Sequence, residues 1–281
     1  MINSEPQGAT VIIDSHDTGL RTPNYLEKIP YGEHKIELRY EHFQETTSFI
    51  SINQSRVDSF IKLFIKSGES KTYSVNGVSF VMKSIAPSTV RRGQSSLNLA
   101  EYWISETEVT YALWDAVMQT DLSSGDNKNL PVTQVSRSNC DEFISKLNTI
   151  LSEKGRKFML PTELQWEHAA YGGVESLSYS SKEFWNKDNS EGQSHGVKTN
   201  APNGYGIYNM SGNVWEWCRD NFVDDPQYDS FDNPCMIVPK SKRFVAKGGS
   251  YKSDIKTCRI RNRISVEDKP FRNVGFRLIL E

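Results

Sequence analysis

The stretch Gly206-Ile207-Tyr208-Asn209-Met210-Ser211-Gly212-Asn213-Val214-Trp215-Glu216-Trp217 constrains this chain most. Two tryptophans flank one glutamate, after two asparagines and two glycines. Glycine reaches backbone conformations that a Cβ forbids, so carbonyls here can turn toward one point. Asparagine and glutamate supply the oxygen atoms a hard cation prefers. The tryptophans are large enough to close such a point off from water. A second reading uses the same residues for packing alone: a tight turn entering a buried strand, with Glu216 satisfied by a backbone group or an arginine. Residue types alone leave both open.

The surrounding blocks narrow the choice. They are Glu106-Thr107-Glu108-Val109-Thr110, Pro131-Val132-Thr133-Gln134-Val135-Ser136, Leu160-Pro161-Thr162-Glu163-Leu164-Gln165-Trp166-Glu167, and Gly248-Gly249-Ser250-Tyr251 followed by Asn273-Val274-Gly275-Phe276-Arg277. With the first stretch they resemble, in order, the formylglycine-generating enzyme (sulfatase-modifying factor) family, from about Val75 to the C-terminus. The resemblance implies an α+β, C-type-lectin-like domain with little regular secondary structure. It also implies a structural calcium site at Asn209, Gly212, Val214 and Glu216, with backbone carbonyls from Gly212 and Val214 and side chains from Asn209 and Glu216. A second family calcium site has no match in Phe184 to Asn200.

The same resemblance exposes a gap in the chemistry. Family enzymes oxidise a substrate cysteine to an aldehyde with oxygen, using a copper(I) site of two cysteines five residues apart. Copper(I) prefers soft thiolates. Here the second cysteine corresponds to Cys258 and the first to Ser253. One thiolate cannot make a two-sulfur site. The other cysteines are Cys140, Cys218 and Cys235, and the sequence leaves open a disulfide, separate buried thiols, or an approach of Cys218 or Cys235 to Cys258. An oxygen-dependent nonheme iron enzyme would need a histidine-rich ligand set, which His168 and His195 do not form by spacing.

Residues 1–68 alternate in the β manner. His34-Lys35-Ile36-Glu37-Leu38-Arg39-Tyr40 has period two, as a half-buried strand should. Ala9 to Asp14, Thr47 to Ile52 and Phe60 to Ile65 read as further strands, with turns at Asp17-Thr18-Gly19 and Pro30-Tyr31-Gly32. A small antiparallel all-β sandwich is expected. Pro6-Gln7-Gly8-Ala9, Asp14, Gly19, Thr22-Pro23 and Ile29 to His34 resemble the PEGA domain, in which Tyr40 to Phe43 would occupy the family's Gly-Tyr position. That implies a noncatalytic module, often found on extracytoplasmic proteins. His16, His34 and His42 read as strand or surface histidines.

The polar run Ser67 to Lys71 places a boundary, giving domains 1–68 and 69–281. Tyr73 to Met82 reads as one strand and Ala86 to Asn98 as an irregular loop. Thr110 can cap a helix bearing Leu113, Trp114, Val117 and Met118 on one face. Ser138, with Asp141 three residues on, can cap a second, and Thr162 with Gln165 a third. Beyond residue 172 helical periodicity stops, and long aromatic-studded segments follow. Such loops are uncommon unless functional or tied down.

Net charge of -2 gives no basic footprint, so nucleic acid is not an expected partner. No apolar run reaches the length of a membrane span, so no transmembrane segment is expected. No signal peptide is read at Met1-Ile2-Asn3-Ser4, so the chain either stays inside the cell or is a mature form. The dense charges from Lys252 to Arg272 suggest a displayed surface, with Lys252, Asp254, Lys256, Arg261, Arg263 and Glu267 as candidate ligand residues. The primary expectation is therefore a noncatalytic binding or scaffolding protein holding a protein or glycan in its C-terminal loops, at a bacterial surface or in an extracytoplasmic space. A cytoplasmic location stays open. The alternative is a formylglycine-generating oxidase with a rearranged copper site.

Overall fold

Period-two alternation and turn chemistry build the N-terminal unit. The computed structural model describes residues 1–5, 7–40, 46–54, 57–62, 69–93, 95–173, 184–228 and 231–281. It separates into a unit on Met1–Ser67 and a larger one on Gly68–Gly172 and Leu177–Glu281.

In the first unit β1 (Ile2–Glu5), β2 (Thr10–Ile13), β3 (His16–Arg21), β4 (Gly32–Arg39), β5 (Thr46–Ile52) and β6 (Ser59–Lys62) form two sheets. One is antiparallel, in the order β3-β2-β4-β5. The other is a parallel pair, β1 with β6, which corrects the all-antiparallel expectation. Strands from opposite ends of a sequence can run parallel because the whole intervening sheet serves as their connection. The inward residues Ile2, Ala9, Val11, Ile13, Ile36, Leu38 and Ile61 make one core. The expected turn at Asp17 to Gly19 lies inside β3 instead. The chain reverses at Asp14 and Ser15, both at positive φ (46° and 67°), as a two-residue hairpin of matching twist requires. The Tyr40 to Phe43 resemblance and the Ile65 end of the last predicted strand fall at residues 41–43 and 63–65, outside the described residues.

The second unit opens with a hairpin, β7 (Ser70–Val75) and β8 (Val78–Ile85), where one strand was expected. Asn76-Gly77 makes the turn, at φ 47° and 82°. Asn-Gly is the commonest signal of such a turn, and the apolar residues on either side had masked it. A second hairpin, β9 (Ser88–Arg92) and β10 (Ser95–Leu99), replaces the expected irregular loop. Its inward residues Leu97 and Leu99 pack with Leu164.

Then come β11 (Tyr102–Ser105), α1 (Tyr111–Met118), a turn of 3-10 helix at Gly125–Asn129, α2 (Arg137–Ile150), β12 (Phe158–Met159) and α3 (Glu163–Tyr171). Thr110 caps α1 and Thr162 caps α3, the latter as a full capping box with Gln165. α2 is capped by Ser136 with Asn139, two residues earlier than expected. Ser138 instead binds Asp268 through its backbone N–H and its hydroxyl.

β13 (Trp215–Asn221), β14 (Arg243–Lys247), β15 (Arg263–Glu267), β16 (Val274–Gly275) and β17 (Ile279–Leu280) complete the unit. They give a five-stranded sheet, β12-β17-β11-β8-β7, and a four-stranded one, β15-β14-β13-β16. Phe143, Leu147, Trp114, Phe158, Trp217, Phe276 and Leu278 lie in the core that joins these sheets to α1 and α2. Among the described residues no helix follows Tyr171.

One side of α3 is charged yet buried. Glu167 accepts from Lys247 Nζ at 2.5 Å and from Arg92 at 3.0 Å. Glu163 lies 2.9 Å from Arg263 and 3.5 Å from Lys247. These pairs tie α3 to β9, β14 and β15.

Candidate functional site

The signature stretch forms the turn before β13, and left-handed backbone at Asn209, Gly212 and Asn213 (φ 56°, 74° and 58°) shapes it. Two backbone bonds clasp it to the Gly248–Tyr251 turn: Gly212 N–H to Gly248 O at 2.8 Å, and Tyr251 N–H to Asn213 O at 2.7 Å. A Cβ at Gly212 would overlap the Trp185 carbonyl oxygen, so only glycine fits.

Two buried carboxylates meet beneath this turn. Glu216 is held by Arg277, Nε to Oε2 at 2.6 Å and Nη2 to Oε1 at 2.7 Å. Trp166 Nε1 adds a third donor at 2.6 Å. The Glu216 carboxylate, which the resemblance gives to calcium, has its charge matched by Arg277. The carboxylate in contact with Asn209 is that of Glu108. Asn209 Nδ2 donates to Glu108 Oε2 at 3.1 Å, and Asn213 Nδ2 donates to Oε1 at 2.8 Å. Burial pushes the Glu108 carboxyl up to about 7; Arg277 opposes the shift and Glu216 adds to it.

Whether a hard cation suits this place turns on one atom. Asn209 Oδ1 is buried and has no hydrogen-bond donor, an arrangement that calls for an explanation. Two buried carboxylates also face a single guanidinium. Both features fit a hard cation held by Asn209 Oδ1 and Glu108. Among the described residues no three His, Cys, Asp or Glu side chains gather, so such a cation would depend on amide and carbonyl oxygens.

Copper(I) does not fit. Ser253 Oγ accepts from Ser250 N at 3.0 Å and lies 3.2 Å from Ser250 Oγ. Asn273 Nδ2 in turn reaches Ser250 Oγ at 3.2 Å. Where a first thiol is needed there is a hydroxyl locked into a polar net. Cys258 is buried, and burial pushes its thiol up to about 12. A Cβ on Gly249 would lie 2.6 Å from the Cys258 sulfur, so this thiol fills the space under the turn. All four cysteines are free. Cys235 faces Arg219 and Asp220, Cys140 lies on α2, and Cys218 lies on β13 with its sulfur toward Glu216 O.

The six expected ligand residues divide. Lys252, Lys256 and Arg261 are exposed; Lys252 lies over the Tyr251 ring, and Arg261 donates to Tyr171 Oη at 3.0 Å. Asp254 caps its own turn by accepting from the Thr257 N–H and hydroxyl. Arg263 corrects the displayed-surface reading, being committed to Glu163, to Val223 O at 2.9 Å and to the Phe222 ring. Glu267 alone of the six lines a groove of about 380 Å³, with Trp215, Ile264, Lys269, Phe271 and Asn273. Phe271 was missed, although a half-exposed aromatic in so charged a segment was a usable signal.

Comparison with known proteins settles the family. The sulfatase-modifying factor enzyme 1-like domain model matches residues 65–281, and the PEGA domain model matches residues 1–66. The chain belongs to the sulfatase-modifying factor family. It is similar to the formylglycine-generating enzyme of Thermomonospora curvata, 30% identical over 207 residues, covering 63% of each chain. It is 27% identical over 163 residues to the "Inactive C-alpha-formylglycine-generating enzyme 2" of Mus musculus, covering 52% of this chain and 49% of that one. The chain thus spans half to two thirds of the length of these relatives. Among solved structures it is similar to Treponema denticola variable protein 1, with a TM-score of 0.66 and 28% identity over 75% of this chain and 98% of that one. The family's fold is α+β and C-type-lectin-like. No helix among the described residues is long and apolar enough to cross a membrane.

Proposed function

We propose that this chain is a noncatalytic binding protein that uses the family fold to hold a protein or glycan at its C-terminal loops. The observation that carries this reading is Ser253. Its hydroxyl stands in place of a thiol and is bonded into the Ser250–Asn273 net, while Cys258 is buried and in no disulfide. A mouse relative whose name declares it inactive and a Treponema relative named as a variable protein are consistent with it. The binding surface is the groove with Phe271 and Trp215 as apolar floor and Glu267 and Lys269 at its edge. Aromatic anchors flanked by charge are common in interface hot spots. The PEGA module supports a place at a bacterial surface or in an extracytoplasmic space, and a structural calcium ion at Asn209 and Glu108 belongs to the same reading.

A second reading has its own support, since the Thermomonospora relative is named as an enzyme. Mass spectrometry of a peptide carrying Cys-x-Pro-x-Arg, with copper(I), reductant and oxygen supplied, separates the two. The binding reading expects the thiol to survive. Conversion to an aldehyde that Cys258→Ala abolishes would overturn it.

A further inference from the structure

β5 lies at one edge of the N-terminal sheet, whose order is β3-β2-β4-β5. Asp14 N donates to Lys35 O at 2.9 Å, so Lys35 and its alternates on β4 turn their backbone groups toward β2. Gly32, His34, Ile36 and Leu38 then face β5, where they meet Ile52, Ile50, Ser48 and Thr46. In an antiparallel ladder the residues between hydrogen-bonded pairs point the other way. The N–H and C=O groups of Thr47, Phe49 and Ser51 therefore line an edge that no other strand occupies among the described residues.

Such an edge invites pairing, and folded proteins guard it with charges, proline, bulges or short strands. The opposite edge, β3, is guarded. It carries Asp17 and Arg21, and its register with β2 shifts between Thr10 and Ile12. β5 has no such guard: its seven residues include no charge, no proline and no glycine. Thr47 and Ser51 are exposed, and Phe49 is 73% exposed. On the other face of the strand, Ile50 and Ile52 line a groove of about 260 Å³ with Tyr25, Leu26 and Tyr31, so apolar surface lies on both sides of the open edge.

The strand is also complementary to itself. A two-fold axis at Phe49 places Thr47 opposite the Ser51 of a second copy and Phe49 opposite its own equivalent. Each outward N–H then meets a C=O. Hydroxyl pairs and aromatic pairs are among the favourable cross-strand contacts. No residue of β5 is charged, so the symmetry sets no like charges face to face. The nearest acids across the axis, Glu33 of one copy and Glu37 of the other, are then three strand spacings or roughly 14 Å apart, beyond the screening length at ordinary salt. We propose that this chain pairs with a second copy of itself through β5, joining two four-stranded sheets into one continuous antiparallel sheet. The pairing is independent of the C-terminal groove.

The test is sedimentation equilibrium of the full chain, carried to high micromolar concentration. The native protein should form dimers. Phe49→Lys should weaken association at least tenfold, because it sets like charges opposite each other at the axis. Ser51→Pro should also weaken it, since it removes an outward N–H, and an edge strand accepts proline where its N–H faces solvent. Ile237→Lys, at an apolar residue 61% exposed in the other unit, should change nothing. Phe49→Cys should crosslink to its own copy on mild oxidation, because the paired Cα atoms would lie roughly 5.5 Å apart, within disulfide range. A monomer at every concentration overturns the proposal and leaves the edge to a strand from another protein. A dimer that survives both Phe49→Lys and Ser51→Pro, or in which Phe49→Cys fails to crosslink, also overturns it, because the contact then lies elsewhere.

Discussion

Arg277 and Glu216 form a two-pronged ion pair at 2.6 and 2.7 Å, and neither side chain reaches solvent. The same guanidinium donates to Ser105 O at 3.1 Å and Tyr208 O at 2.9 Å. It therefore joins β11, the signature turn, β13 and the chain approaching β17. Removing one member of a buried pair strands the other's charge, at a cost of about 3–5 kcal/mol. Arg277→Met should lose about that much in denaturant unfolding. The stranding should be larger here because Glu108 is a second buried carboxylate nearby. Arg277→Met combined with Glu216→Leu should recover part of the loss; a double variant as unstable as the sum of the singles would contradict this.

This pair also shows how far the sequence could be read. Five ordered blocks were enough for the family and the α+β fold, because spacing and residue type survive in one dimension. Thr110 and Thr162 were readable as caps because a cap depends on residues three positions apart. Partners distant in sequence were not readable. That Glu216 is paired with Arg277, 61 residues on, could not be seen. Arg263 looked displayed because its partner Glu163 lies on another element. The α2 start was misplaced because Ser136 and Ser138 are equally good caps locally, and Asp268 takes the second.

Gly249 should tolerate no side chain. It sits at φ 79°, and a Cβ there would lie 2.6 Å from Cys258 Sγ and 2.8 Å from its Cα. Gly249→Ala should destabilise by several times the roughly 1 kcal/mol typical of substitutions. Adding Cys258→Ala should not restore stability, since the Cα clash remains and a cavity is added. Thermal unfolding of both variants checks the ordering.

The cation reading predicts that chelation lowers Tm, because a ligand that binds only the native state stabilises it. Scanning calorimetry in chelator and in excess calcium should differ by several degrees, and Glu108→Gln should shrink the difference. Identical Tm values would contradict a bound cation. Glu216→Gln should act mainly on stability in both conditions, since its carboxylate answers Arg277.

In the N-terminal unit His34 has an acceptor at each ring nitrogen: Asp14 Oδ2 at 2.6 Å from Nδ1 and Pro30 O at 2.9 Å from Nε2. Both nitrogens must donate to satisfy these oxygens, which favours the imidazolium. The Asp14 hydrogen bond raises the His34 pKa above its ordinary 6.5, with help from the Pro30 carbonyl. The stabilisation is then fully present below about 6.5, the unfolded value, and is lost as pH rises through the higher folded value. Asp14 is shifted down, first by His34, so its share is lost only as the medium becomes strongly acidic. An NMR titration of the His34 ring should give a midpoint above that of free histidine. A midpoint below it would contradict the bonding pattern.

This chain keeps the family fold and carries Ser253 where a copper(I) pair needs its first thiol. The most direct measurement is copper(I) affinity on the reduced full chain, by competition with a chromogenic chelator, for the native protein and for Ser253→Cys. The native protein should show no tight binding, and Ser253→Cys, which supplies the second thiol, should gain many orders of magnitude. Tight one-to-one binding by the native protein, lost in Cys258→Ala, would contradict it and put the oxidase reading first.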